Sequence, residues 1–505
     1  MLHFNAKQTG LSVADTKACV VGEINIDRTW YTFYGCDSCR EYKGSWNFAW
    51  NLSFDGAVIL KLLGQELFQY TKTRRLNFRH GQYRIAYIPG KCLRIMKGHH
   101  SVVIYDVAQF YNKQPLVKAY ERNIGSLGQD YLDFKSKRSS FSKRFYRRNT
   151  SAVREYCIKD CKMTKALAEN WIKIFRNAFG FYPARWFSSG YLAEKVLVNN
   201  GVSFPTFDSI PYDVQDLAFK SYFGGRFEIH KRGFIGQAYL YDINSAYPAA
   251  IASLPDLTDG RWITANKIHP KAKLGFFEIT ADIPDVKPVP PFPFRKNGIV
   301  VFPSGRFRTF VTLDELKACE NPDYYRIVRS WQFIPNSDHR PYTYFIESLY
   351  GKRLLLKERN DPMQLPVKII LNSFYGKAGQ KVNRVIGNLF NPVIFAYITG
   401  FTRARLYRFV VENNLEKNVV SFATDSVCVT KDLCLKSSRL GDFSLDKSGN
   451  DVYYLQNGIY RFNSVWKQRG LGNLKGRTLE HIETIERDGR LYLVLTPTRS
   501  ASLRE

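Results

Sequence analysis

What this chain lacks narrows it first. Across 505 residues no uninterrupted apolar run reaches the ~18 residues a membrane-spanning helix needs, and no signal-peptide pattern opens the sequence. The expectation is a protein neither inserted in a membrane nor secreted. Nine cysteines are too few for a disulfide framework in so long a chain. Cys36 and Cys39 form a lone C-x-x-C with no second Cys/His pair at zinc-finger spacing, and Cys157 and Cys161 stand four apart on a predicted helix. Free thiols in a reducing compartment are the expectation. His99 and His100 sit in a basic loop and read as solvated. Low-complexity tracts and repeats are missing as well. Acid is short: 45 Asp and Glu face 74 Lys and Arg, a formal charge of +29. So basic a balance favours a polyanionic partner, because each neutralised phosphate releases counterions. Aromatic residues are abundant, with 37 Phe, 31 Tyr and 8 Trp. Most read as core, but rings among basic residues also suit nucleic-acid grooves, where they stack on bases.

The length suits about three domains. Residues 1–125 read as α/β, with Ser101–Tyr105 a strand. Residues 135–150 are strongly basic and read as a loop or helix edge. Over 151–178, Val153, Tyr156, Cys157, Asp160, Met163, Thr164 and Leu167 recur at helical spacing, and Pro183 marks a break. The stretch 284–305 carries six prolines and predicts irregular chain with short strands. Two helices are predicted over 342–359 and 364–376, separated by Asn360-Asp361-Pro362, and a long amphipathic helix over 393–415. Val419–Val429 reads as an apolar strand interrupted by a polar turn.

Three segments carry chemistry. In Tyr239-Leu-Tyr-Asp242-Ile-Asn-Ser-Ala-Tyr247-Pro, a strand delivers a carboxylate at its end, and a turn and helix follow. In Ser421-Phe-Ala-Thr-Asp425-Ser426-Val-Cys-Val, a strand turns at Thr-Asp-Ser, which places Asp425 at a hairpin tip. Taken singly, a strand-end aspartate is usually a turn or cap residue. Two of them on one sheet can hold paired divalent cations. In Lys368-Ile-Ile-Leu-Asn372-Ser-Phe-Tyr375-Gly376, the residues Lys368, Asn372 and Tyr375 share one helix face and offer a cation, an amide and a ring. Arg353 and Lys357, also four apart, complete a plausible triphosphate clamp.

These segments resemble family B DNA polymerases of the protein-primed branch found in phages, adenoviruses and linear plasmids. Asp242 to Pro248 matches motif A, DxxSLYP, with Ala246 in the Leu place. Lys368 to Gly376 matches motif B, KxxxNSxYG. Ala423-Thr-Asp425-Ser426 matches motif C, DTDS, with its first Asp missing. Lys467-Gln-Arg469-Gly470 is similar to the element that holds the primer strand, and Tyr222-Phe-Gly224-Gly225 to the Tyr-x-Gly-Gly element between exonuclease and polymerase modules. The resemblance implies a multidomain α/β and α+β fold: a ribonuclease H-like exonuclease domain followed by a right-hand polymerase domain of palm, fingers and thumb. It implies that Asp242, Ile243 and Asp425 hold two magnesium ions, with manganese the alternative, and that Asp242 and Asp425 are catalytic. Tyr247, Arg353, Lys357, Lys368, Asn372 and Tyr375 would bind the deoxynucleoside triphosphate, Tyr247 excluding a 2′-hydroxyl. Tyr222, Gly224, Gly225, Ser426, Lys467 and Arg469 would contact the primer-template. Ala423 cannot bind metal, so the centre has one carboxylate fewer than the usual pattern, and two remain chemically sufficient.

The front of the chain resembles the family's 3′–5′ exonuclease. Asn51-Leu-Ser-Phe-Asp55 matches its second motif and Tyr156-Cys-Ile-Lys-Asp160 its third, while Asp106 reads as structural. The first motif, Asp-x-Glu, is replaced by Asn5-Ala-Lys7. Two-metal hydrolysis needs three or four carboxylates, so proofreading is expected to be weak or lost. The implied layout is exonuclease-like 1–185, palm 186–260 and 393–460, a priming-protein-contact insertion 261–345, fingers 346–392 and a short thumb 461–505. The short thumb leaves truncation open, and the second insertion, between motifs B and C, looks reduced. A terminal protein as primer is implied by the branch alone. The implied setting is the cytoplasm of an infected or plasmid-bearing microbial host, or an organelle matrix. Two alternatives stand: a degenerate homologue that only binds DNA, and another palm enzyme such as a reverse transcriptase.

Overall fold

The computed structural model describes residues 46–63, 76–137, 145, 148–202, 204–382, 385–456, 458–468, 483–487 and 490–494. The chain forms two compact units. Of the described residues, the first takes those up to Val196 together with Arg353–Ile370, and the second takes Leu197–Lys352 and those from Leu371 onward. The unit thus closes past residue 185, inside a helix.

The first unit is built on a five-stranded sheet of β1 (Asn47–Ala49), β2 (Leu76–His80), β3 (Tyr83–Ile88), β4 (Cys92–Lys97) and β5 (His100–Asp106), ordered β1-β5-β4-β3-β2. β1 runs parallel to β5, and the other neighbours are antiparallel. Helix α1 (Leu52–Leu63) follows β1 and buries Leu52, Ile59 and Leu60 against Ile85, Leu93 and Ile95. Its start is fixed by Asp106, whose carboxylate accepts from the backbone of Asn51 (3.2 Å), Leu52 (2.9 Å) and Ala108 (3.0 Å). This satisfies N–H groups that a helix start leaves unpaired. Helices α2 (Leu116–Asn123) and α3 (Gln129–Lys137) lead to the 30-residue α4 (Thr150–Phe179). α4 buries Val153, Tyr156, Cys157, Asp160, Met163, Thr164 and Leu167 along one stripe, and Gly180 ends it in the left-handed conformation. Helix α5 (Ser189–Asn199) follows.

The second unit opens with α6 (Tyr212–Lys220). Its main sheet has seven antiparallel strands: β6 (Arg226–Ile229), β7 (Gly233–Ile243), β16 (Val419–Thr424), β17 (Ser426–Val429), β18 (Phe443–Gln456), β19 (Ile459–Phe462) and β20 (Val465–Gln468). The order is β20-β19-β18-β7-β17-β16-β6, so the central strand is β7. The long pairing of β18 with β7 slips register between Leu445 and Lys447 and twice more beyond Gly449. A second sheet, β12-β9-β13-β8, is made of β8 (Gly260–Ile263), β9 (Leu274–Ile283), β12 (Gly305–Thr312) and β13 (Tyr325–Pro335). Short ribbons pair β10 (Phe294–Lys296) with β11 (Ile299–Val301) and β14 (Lys381–Val382) with β15 (Val385–Ile386). A last ribbon joins Glu483–Arg487 to Arg490–Val494.

Four helices complete this part of the chain beyond α7 (Ala246–Ala252): α8 (Leu313–Ala318), α9 (Thr343–Glu358), α10 (Gln364–Ala378) and α11 (Pro392–Glu412). α11 differs from the amphipathic helix predicted over 393–415. It is buried on nearly every side, because it packs on α6, α7 and α8 while also covering the seven-stranded sheet. Asn391 caps it, its side chain accepting from Val393 and Ile394, with Pro392 at the first helical position. Among the described residues, no helix is long and apolar enough to cross a membrane.

Candidate active site

The centre of the second unit is a two-residue hairpin. Ala423 pairs with Ser426 across β16 and β17, so Thr424 and Asp425 form the tip. Thr424 has φ +68°, a left-handed conformation that a β-branched residue rarely takes. The neighbouring strand closes on this tip through Gly225: a Cβ there would lie 3.0 Å from Thr424 Cγ2 and 3.1 Å from Thr424 Cα. Gly224, with φ +80°, supplies the preceding turn.

On the other side of the hairpin, Ser426 lies directly opposite Asp242 on β7, and the Ile243 N–H donates to the Asp425 carbonyl at 2.9 Å. Asp425, at the hairpin tip, is therefore offset by one position from Asp242 on the neighbouring central strand, and both are half-buried. Ala423, also half-buried, adds no oxygen. The Ser426 hydroxyl donates to the Ala423 carbonyl at 3.1 Å, within the turn. Past Asp242 the chain turns through Asn244 and Ser245 (φ +50°) into α7. Asn244, which the sequence reading passed over, holds this turn to the loop before β18. Its amide donates to Ser437 O (2.8 Å) and Arg439 O (3.2 Å), and its Oδ1 accepts from Ser444.

Next to the carboxylates lies a cluster of tyrosines. The ring of Tyr247 on α7 is 4.4 Å, centroid to centroid, from that of Tyr375 on α10. The Tyr375 hydroxyl is 3.0 Å from that of Tyr222, so residues 153 apart in sequence share a hydrogen bond. Tyr222 also packs edge-on against Phe395 of α11. Burial, reinforced by the negative charge of Asp425, pushes the Tyr247 phenol up to about 12. Burial and the hydrogen bond shared with Tyr222 push Tyr375 further still, while the positive charge of Arg403 pulls both phenols back. At neutral pH these hydroxyls stay protonated and add no negative charge beside the aspartates.

On α10, Lys368 and Asn372 are exposed and Tyr375 is half-buried, whereas Val367, Ile370, Leu371 and Phe374 are buried. The helix thus offers the predicted Lys-Asn-Tyr face because its other face is core. Arg353 is half-buried and Lys357 exposed on α9. Arg353, Lys357 and Lys368 belong to the first compact unit; Asn372 and Tyr375 belong to the second, with the two aspartates. Lys467 is exposed on the edge strand β20. Asn5, Lys7 and Arg469 lie outside the described residues.

The acids of the first unit are enclosed. Asp55, Asp106 and Asp160 are only 1–3% exposed. The Tyr131 hydroxyl donates to Asp160 Oδ1, and the Tyr131 ring stacks on Tyr156 at 5.1 Å. Among the described residues, no three His, Cys, Asp or Glu side chains are grouped to hold a metal ion. The two aspartates of the second unit remain an all-oxygen donor pair at an accessible strand end. Such a pair suits magnesium, which takes oxygen ligands and completes its shell with water and substrate phosphates.

Two acids at the ends of adjacent central strands of an antiparallel sheet, packed on a buried helix, define the palm of a right-hand polymerase. Residues 130–386 match the model of the family DNA polymerase type B, organellar and viral, and the chain belongs to that family. Its fold is that of Phi29 DNA polymerase, an exonuclease-type domain followed by a right-hand polymerase domain. The complex of that enzyme with primer-template DNA and incoming nucleotides superposes with a TM-score of 0.60 at 16% identity, covering 88% of this chain and 89% of the other. The orthorhombic crystal form gives 0.61 at 15% identity. Among curated relatives, the DNA polymerase of Acidianus bottle-shaped virus (isolate Italy/Pozzuoli) is 28% identical over 306 residues, 55% of this chain and 44% of the relative. A probable DNA polymerase of Ascobolus immersus is 26% identical over 239 residues, 45% of this chain and 19% of the relative. The chain therefore spans less than half the length of either curated relative.

Proposed function

We propose that the protein is a DNA-directed DNA polymerase that adds deoxynucleoside monophosphates to a 3′-hydroxyl under the direction of a DNA template. The observation that carries this reading is the placement of Asp242, on β7, against Asp425, at the tip of the adjoining hairpin and beside Tyr247. Asp242, the Ile243 backbone and Asp425 would hold two magnesium ions, which would acidify the attacking hydroxyl and neutralise charge on the leaving pyrophosphate. The chain's own groups do the positioning. Lys368, Arg353 and Lys357 bind the triphosphate, and Asn372 and Tyr375 line the incoming nucleotide. Tyr247 lies under the sugar and leaves no room for a 2′-hydroxyl. Tyr222, Gly224, Gly225, Ser426, Lys467 and Arg469 follow the primer-template, to which the net charge of +29 gives a strong electrostatic attraction.

The same reading divides the chain into an exonuclease-like part (1–185), palm (186–260 and 393–460), fingers (346–392) and thumb (461–505). Residues 261–345, which include all of the sheet β12-β9-β13-β8 except Gly260, contact a terminal priming protein. The genome replicated is a linear viral or plasmid one, in the cytoplasm of a microbial host or an organelle matrix. Proofreading is weak or lost, because Asn5 and Lys7 stand where two acids are needed. Primer extension on a DNA template with magnesium tests the polymerase reading, run with DNA primers and with a candidate terminal protein. Metal-dependent extension is expected. Its absence with every primer favours a second reading, a degenerate homologue that binds DNA without chemistry, to which Ala423 lends weight.

A further inference from the structure

We propose that Glu315 and Arg403 are positioning residues that set discrimination between deoxy- and ribonucleotides by holding the Tyr222 hydroxyl on Tyr375. The inference rests on the reading of Tyr247 as the residue under the incoming sugar.

The chain of contacts begins at Gly400 on α11. A Cβ at that position would lie 2.3 Å from Thr312 Cγ2 and 2.5 Å from Thr312 Oγ1, so the missing side chain is what brings α11 against the start of α8. Thr312 caps α8, and its N–H and hydroxyl both donate to Glu315 Oε2 at 2.9 Å. With one carboxylate oxygen fixed by the cap, the other accepts from Arg403 Nε at 2.7 Å. Both side chains of this ion pair are almost fully buried. The rest of the guanidinium is aimed at the loop that bears Tyr222: Nη1 donates to Gly224 O at 2.6 Å, and Nη2 reaches Ser221 O at 3.5 Å. These two carbonyls bracket Tyr222, whose hydroxyl meets Tyr375, whose ring in turn rests on Tyr247.

A buried ion pair is a costly way to join two helices, since apolar side chains of similar volume often serve stability as well or better. What it adds is direction. The guanidinium fork fixes two specific carbonyls, and with them the height of the Tyr222 ring. The charge of Arg403 is also felt by both Tyr247 and Tyr375, which places it within electrostatic reach of the whole cluster.

The test compares the parent with Glu315→Gln, which keeps shape and one acceptor, and with Tyr222→Phe, which removes only the hydroxyl. Single-nucleotide extension is measured with a deoxy- and a ribonucleotide for each. Expected is a loss of sugar discrimination on the order of tenfold in Glu315→Gln, carried by KM with kcat nearly unchanged. Tyr222→Phe should lose sugar discrimination to a similar degree, whatever its effect on turnover, and the double variant should lose no more than either single one. Parent-like discrimination in Glu315→Gln, or effects that multiply in the double variant, overturns the proposal. Hydrogen exchange at Tyr222–Gly225 reads the positioning without catalysis. Faster exchange in Glu315→Gln is expected, and exchange identical to the parent's overturns it. A parent that extends no primer defeats the polymerase reading instead, and the exchange result still decides the role of the pair.

Discussion

The aspartates of the two units are the same side chain set in opposite surroundings. Asp242 and Asp425 sit half-buried at a strand end and a hairpin tip. In the first unit Asp106 takes three backbone N–H groups, Asp160 takes the Tyr131 phenol, and these two and Asp55 are shut away from water. A carboxylate that serves a cation must stay within reach of one, whereas a carboxylate enclosed by donors acts as a fixed acceptor that organises backbone. In the sequence, motif matches marked Asp55 and Asp160 as well as Asp242, the first two through shorter motifs. What separates them is enclosure.

That contrast can be broken most directly at the palm. Asp425→Asn and Asp242→Asn should each lower primer extension on the order of 10³-fold, about 4 kcal/mol of transition-state stabilisation, with thermal unfolding unchanged. Asp160→Asn should leave extension unchanged, and the parent should not degrade a mismatched 3′ end. Rapid degradation that Asp160→Ala abolishes would erase the distinction between the units. Next in size is Tyr131→Phe, which leaves a buried carboxylate short of a donor. Urea unfolding should show a loss of roughly 1–3 kcal/mol with polymerase activity intact. A smaller effect concerns pH. Burial pushes the Asp106 carboxyl from 3.8 up to about 6, against the pull of its three N–H partners. The unfolded chain releases this proton first, so across that interval stability falls as pH rises. Asp106→Asn should flatten the slope seen in thermal melts between pH 4 and 6. Asp314 in the second unit, also raised to about 6 by burial, contributes with the same sign and should leave a residual slope. The smallest expected change comes from Ala423→Asp, which returns a third acid beside the tip. The magnesium concentration for half-maximal extension should fall a few-fold, since cation affinity rises with ligand charge.

Much of this was legible in the sequence where a pattern is local. The helix predicted over 151–178 is found at Thr150–Phe179, and the pair predicted around Asn360-Asp361-Pro362 at Thr343–Glu358 and Gln364–Ala378. The hairpin tip at Thr424-Asp425 follows from a polar turn between apolar runs. Contacts across long separations were not legible. No periodicity announces that Tyr222 meets Tyr375, that Asn244 ties down Ser437 and Arg439, or that Arg403 pairs with Glu315. Each depends on how whole elements pack. The same reason explains α11: its charged residues suggested a solvent face, but Arg403 is buried on its partners. A helix enclosed by other elements need not show the stripe of one that faces water.

The slipped register of β18 carries a consequence for how such a protein can change over time. Ser444 stands opposite Asp242, and the first slip falls just beyond it, between Leu445 and Lys447. A bulge accommodates an extra residue by bending one strand locally. Residues gained or lost toward β19 and β20 can be absorbed at these bulges before they shift the strand position that faces Asp242. An insertion or deletion toward β19 or β20 is therefore expected to leave Ser444 in register with Asp242.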